Sequence, residues 1–157
     1  MNIFKKIILA TLFVVSFLFI YFFIAKPYRI KGDCMEPAIK NDQLYFINYL
    51  HYKFNPYKTG DIIIFYHGDK IWVSRIVGLE NQEIKIIDNA ILLDNKFYSD
   101  SIQRNWHNWK HGHYGVNSAA KIPANHVYVL SDNLSAHHDD SRVFGSISYS
   151  NILGKVW

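Results

Sequence analysis

The hydrophobic pattern divides the chain into two unequal parts. From Ile7 to Ala25 it reads IILATLFVVSFLFIYFFIA, 19 residues without a charge. As a helix this run would be about 28 Å long, close to the hydrocarbon thickness of a bilayer. Lys5 and Lys6 precede it, and Lys26, Arg29 and Lys31 follow. Tyr21, Phe22, Phe23 and Tyr28 suit the outer interfacial belt. A cleaved signal peptide is the competing reading. The apolar run is longer than a usual signal-peptide core, and Phe23-Ile24-Ala25 lacks the small residue expected two positions before a cleavage site. We therefore expect a retained membrane anchor over residues 1–27. The charges beside it do not by themselves orient it.

Beyond the anchor the pattern is short and strand-like. Gln43 to Leu50, Asp61 to Tyr66 and Ile71 to Leu79 are rich in aromatic and β-branched residues, and His67-Gly68-Asp69-Lys70 reads as a hairpin turn. Gln82 to Ile87 and Ala90 to Leu93 flank the turn pair Asp88-Asn89, and Asp94-Asn95 is a further turn. Val127 to Leu130 is a short buried strand, and Ile147 to Val156 is placed to close the sheet. No long apolar repeat of period 3.6 follows the anchor. The expectation is an all-β fold: one transmembrane helix, then a single domain of packed antiparallel β-sheets over residues 28–157. Residues 99–121 (SDSIQRNWHNWKHGHYGVNSAAK) break the pattern and read as a polar, His/Trp-rich excursion.

Composition adds two exclusions. The formal charge is +4, but without Lys5 and Lys6 the remainder holds 15 basic against 13 acidic residues. It carries no cluster of Lys and Arg that would track phosphates, so nucleic acid is not an expected partner. Within the excursion, His107, His111 and His113 are spaced so that a metal is conceivable. Solvated surface histidines are the favoured reading, since no carboxylate sits inside the cluster, and neither metal nor cofactor is expected. Cys34 is the only cysteine, so it forms no internal disulfide. By itself a lone cysteine is usually a small, inert apolar residue.

Four segments in order change that weighting. The anchor is followed by Gly-Asp-Cys-Met-Glu-Pro (Gly32 to Pro37), Gly-Asp-Ile-Ile-Ile-Phe (Gly60 to Phe65), Ser-Arg-Ile-Val-Gly-Leu (Ser74 to Leu79) and Asp132-Asn133 with Asp140-Ser141-Arg142-Val143-Phe144-Gly145. The chain resembles the type I signal peptidases, membrane-anchored Ser/Lys proteases that remove signal peptides from exported preproteins. The resemblance runs from the anchor to Trp157. It implies a single-pass protein of the cell membrane, with its N-terminus cytoplasmic and its β domain outside. Signal-peptide-bearing preproteins and the lipid bilayer would be its partners. An extended substrate would bind by adding a strand, with Ile30, Phe65 and Trp72 near its pockets.

The residues that the resemblance aligns with the catalytic pair are both changed. Cys34 stands at the serine nucleophile, and Ser74 at the lysine general base. The last segment also begins Ser131-Asp132-Asn133, where the family has glycine first, and its loop is one residue longer. A hydroxyl needs a strong base, which a desolvated lysine supplies and Ser74 does not. A thiol is less demanding, because its thiolate is intrinsically nucleophilic. Counting back from Asp140 places His138 where the family has a serine beside the lysine, with His137 as the alternative. Asp139 or Asp140 could orient the ring as the third member of a triad does. The backbone N–H of Cys34 could serve an oxyanion hole. Arg75, and an Asp140–Arg142 ion pair, are expected to be structural. Two functions follow: an endopeptidase using Cys34 and His138, or a catalytically silent homologue that binds or helps assemble exported proteins.

Overall fold

A computed structural model describes residues 2–19, 21, 25–99, 109–134 and 138–157. The first element is helix α1, Ile3–Phe19, 17 residues with none buried, or about 26 Å. It starts before the apolar run and takes in both lysines. Among the described residues no helix is long and apolar enough to cross a membrane.

Strand β1 (Ala25–Ile30) follows directly, so the expected boundary after residue 27 falls inside a strand. The other strands are β2 (Gln43–Asn48), β3 (Ile62–His67), β4 (Lys70–Gly78), β5 (Glu83–Ile87), β6 (Ala90–Leu93), β7 (Lys96–Tyr98), β8 (Ala120–Lys121), β9 (His126–Leu130), β10 (Ile147–Ser148) and β11 (Ile152–Val156). Two four-residue helices, α2 (His51–Phe54) and α3 (Ser141–Phe144), sit between them. Seven strands form one sheet in the order β1-β2-β11-β3-β4-β9-β10, and four form a second in the order β7-β6-β5-β8. Neighbouring strands pair antiparallel throughout.

Turn chemistry sets much of this register. Asp88 and Asn89 have φ of 45° and 65°, and Asp94 and Asn95 have 50° and 61°. Two successive residues at positive φ make the tight hairpin turns whose twist matches the strands, and Asp and Asn tolerate that region. The β5-β6-β7 meander therefore follows from two dipeptides.

The large sheet is buried on both faces around β3 and β4. Ile64 and Val73 join Ile30, Met35, Ile39 and Ile47 on one face. Ile63 and Phe65 join Ile76, Val127, Val129 and Ile147 on the other. Because successive strand residues point to opposite faces, this explains why residues 61–66 are almost continuously apolar. A third cluster, including Val77, Ile84, Ile86, Ile122 and Tyr128, forms beside the small sheet. At Gly154 in β11 an added Cβ would lie 2.6 Å from the Asn48 carbonyl oxygen. Gly154→Ala should destabilise the domain by about 1–3 kcal/mol through overpacking. An unchanged midpoint in urea denaturation would contradict this.

Candidate active site

Cys34 sits in the turn that leaves β1. Met35 and Ile39, both 1% exposed, plug this turn into the core, and Ile39 N–H donates to the Met35 carbonyl at 2.8 Å. The turn is also tied to the loop after β9. Asn133 donates from its backbone N–H to the Cys34 carbonyl at 2.8 Å and from Nδ2 to the Asp33 carbonyl at 3.1 Å. Apolar packing below and hydrogen bonds above fix the position of residue 34.

The thiol itself is half-buried, and its Sγ lies 4.0 Å from the Val73 carbonyl. Burial pushes its pKa up to about 11, aided by the negative charges of Asp33, Asp132 and Asp140 and opposed by a backbone hydrogen bond. All these charges and the burial favour the protonated thiol. Ser74 is 1% exposed and faces Ile63 across the β3–β4 pair. Among the described residues, no hydrogen bond joins it to Cys34 or His138.

Cys34 and His138 are brought to the same groove. This cavity, about 610 Å³, is walled by Tyr28 to Gly32 and Cys34 on one side, Lys70 to Val73 on the other, and His138. Ile30 lines it as the sequence suggested, and Trp72 borders it although its ring packs against the core on the other face of the sheet, paired with Phe65. Phe65 does not: it is fully buried in the core on the opposite face of the sheet.

The structure gives His138 a different partner from those expected. Its Nε2 is 2.7 Å from Asp33 Oδ1, and this hydrogen bond is the main reason the Asp33 carboxyl titrates below its usual range. Neither Asp139 nor Asp140 orients the ring. Asp139 pairs with His111 Nε2 at 3.2 Å, and Asp140 belongs to Arg142. Asp33 was overlooked by sequence reasoning although it adjoins the cysteine, because its partner lies 105 residues away. His137 and His107 lie outside the described residues. Among the described residues, no three His, Cys, Asp or Glu side chains come together to hold a metal ion.

Two buried ion pairs frame the site. Arg75 grips Asp132 with Nε to Oδ1 at 2.8 Å and Nη2 to Oδ2 at 2.6 Å, while its Nη1 donates to the Gly60 carbonyl at 2.7 Å. Arg142 grips Asp140 with Nε to Oδ1 and Nη2 to Oδ2, both at 2.8 Å. Each guanidinium is spent on a bidentate carboxylate, so both arginines hold loops in place.

The comparisons with known proteins bear on family and fold. A family model described as signal peptidase, peptidase S26, matches residues 1–157. Signal peptidase IB of Staphylococcus aureus (strain N315) is 29% identical, covering 94% of this chain and 83% of that protein. A protein named inactive signal peptidase IA, from Staphylococcus aureus (strain MRSA252), is 27% identical over 97% of this chain and 88% of its own length. The crystal structure of a signal peptidase I from Enterococcus faecalis V583 superposes with a TM-score of 0.52 at 19% identity, covering 64% of this chain and 97% of that one, which speaks to the fold. Matched along its whole length, the chain belongs to the signal peptidase (peptidase S26) family.

Proposed function

We propose that this chain binds signal-peptide-like segments of exported preproteins in the groove beside Cys34 and holds them without cleaving them. The observation that carries this reading is the state of the nucleophile position. The thiol is pushed up to about 11, and Ser74 replaces the base that the family resemblance calls for. Among the described residues, the histidine that lines the groove, His138, is committed to Asp33. A groove lined by β1, an edge strand among the described residues, and by Lys70 to Val73 still suits an extended peptide. The relative named inactive shows a comparable likeness along its length.

The β domain, roughly residues 28–157, would work at a membrane surface, held by the apolar N-terminal segment. Along α1 the large apolar side chains are open, with Ile3 70% and Phe13 73% exposed, a surface suited to lipid rather than water. On this reading the N-terminus lies in the cytoplasm and the domain outside, the topology that the family resemblance implies.

Cleavage by a Cys34/His138 pair is the second reading, favoured by the presence of both side chains on one groove. Incubating a model preprotein with the full-length protein in detergent separates the two. We expect the preprotein to be retained on wild type and on Cys34→Ala alike, with no processed product. Product that accumulates catalytically and vanishes in both Cys34→Ala and His138→Ala would establish the second reading. Alkaline extraction of membranes tests the anchor: the chain should stay with the lipid.

A further inference from the structure

The groove beside Cys34 is not evenly charged along its length. One wall is the end of β1 with the turn after it, and the other is the start of β4. Four antiparallel steps, β1-β2-β11-β3-β4, leave β1 and β4 running in the same sense. The thiol marks one end, where Cys34 Sγ lies 4.0 Å from the Val73 carbonyl. The first residues of each wall, Tyr28 and Lys70, mark the other. Lys70 stands three residues before Val73, about 10 Å along a strand.

Apart from His138, the charged residues that line the groove among those described are Arg29, Lys31 and Lys70, and all are basic. Arg29 is engaged already, paired with Asp42 Oδ2 at 3.3 Å and donating to the Asp42 carbonyl at 3.1 Å. Lys31 and Lys70 are exposed and make no ion pair among the described residues. Asp69 precedes Lys70 in the hairpin turn without pairing with it. The thiol end has the opposite sign. Asp132 and Asp140 are matched there by Arg75 and Arg142. Asp33 is matched by His138, which offsets its charge only when protonated. Between the two ends Ile71, 41% exposed, offers apolar surface.

From this polarity we propose that the groove selects segments carrying an aspartate or glutamate about three positions from the residue at Cys34, with Lys31 and Lys70 as the specificity-determining residues. The proposal rests on the reading of the groove as a peptide site. An extended peptide and β4 rise by the same amount per residue, so strand addition carries such a side chain to the level of Lys70. Each ammonium stands on a flexible four-carbon stem, and either wall can reach a carboxylate between them. A carboxylate at the thiol end faces Asp33 instead. The charge pattern thus favours one register and opposes another.

The test uses full-length protein in non-ionic detergent at low salt, with Kd read by anisotropy. The probes are fluorescently labelled synthetic signal peptides that differ only by Asp or Asn, scanned across the residues around the cleavage site. At one position Asp should bind about two-fold to five-fold tighter than Asn, and about three positions away it should bind more weakly. Raising the salt to about 0.5 M should erase the gain. Lys31→Gln and Lys70→Gln should each reduce it, and Lys31→Glu/Lys70→Glu should turn it into a penalty. Asn peptides that bind, with no Asp gain at any position, would overturn acid selection and leave the peptide-binding reading intact. Binding of no peptide at all would overturn both.

The sign of the groove also has a readout that needs no peptide. Iodoacetate and iodoacetamide alkylate the same thiol and differ in the carboxylate of the first. Their rate ratio cancels any change in the thiolate fraction and reports the potential beside Cys34. Lys31→Gln/Lys70→Gln should lower the iodoacetate-to-iodoacetamide ratio by about two-fold to four-fold at low salt. An unchanged ratio would show that the two lysines do not act on the groove, and would overturn the proposal whether or not peptides bind.

Discussion

Replacing Arg142 by methionine will cost the β domain about 3–5 kcal/mol, lowering its melting midpoint by about 10 °C. The reason is what remains behind. Asp140 is 0% exposed, and the guanidinium supplies two of its shortest hydrogen bonds, both at 2.8 Å. A methionine of similar length fills the space but leaves a buried carboxylate without its countercharge. The double variant Asp140→Leu/Arg142→Met should recover only part of the loss. Asp140 also accepts from the Ser131 N–H at 3.2 Å and, as the cap of α3, from the Arg142 N–H at 3.0 Å. Those donors would be stranded. Circular dichroism during heating and in urea would check both variants, and a loss under about 1 kcal/mol would show that the pair carries little.

That pair also explains which parts of the molecule were open to reading in the sequence. Strands β3 to β6 were legible because turn dipeptides and apolar runs specify them locally. The same runs hid which face looks where. With β3 buried on both sides, period-two alternation has no polar half, and Phe65 was assigned to the groove when it belongs to the opposite core. Strand β1 was missed because AKPYRI reads as the charged exit of an anchor, with a proline in it. Pro27 is tolerated since β1 is an edge strand of the large sheet.

The site was legible in part for a similar reason. Ordered motifs put Cys34, Ser74, Arg75 and the Asp140–Arg142 pair at their stations, because each motif has its own local turn or strand. Partner choice across the fold has no such local signal. His138 had three carboxylates to choose from, Asp139 and Asp140 beside it and Asp33 far away in sequence. Tertiary placement decided the outcome: Arg142 takes Asp140, the excursion takes Asp139, and the turn after β1 brings Asp33 to 2.7 Å. Nothing in a linear count of residues reports that competition.

Alkylation of Cys34 in the wild-type protein should be slow at neutral pH and should keep accelerating up to about pH 11. At pH 7 a thiol of that pKa is about one part in ten thousand thiolate, a few hundred-fold below an ordinary thiol near pKa 8.5. A more basic thiolate is the better nucleophile, which returns about ten-fold of this. The net expectation is a rate at least about 20-fold below that of free cysteine, before any loss from restricted access. The sign follows from the causes: burial strips water from the thiolate, and Asp33 repels it. Asp33→Ala should therefore move the pH profile downward. A wild-type rate that levels off below pH 8 would mean an activated thiol. In that case the carboxylates around the site would be outweighed by a cationic partner, and His138 would have to leave Asp33 to provide it. The protein would then be poised for cleavage, and the preprotein assay should show product lost with either side chain.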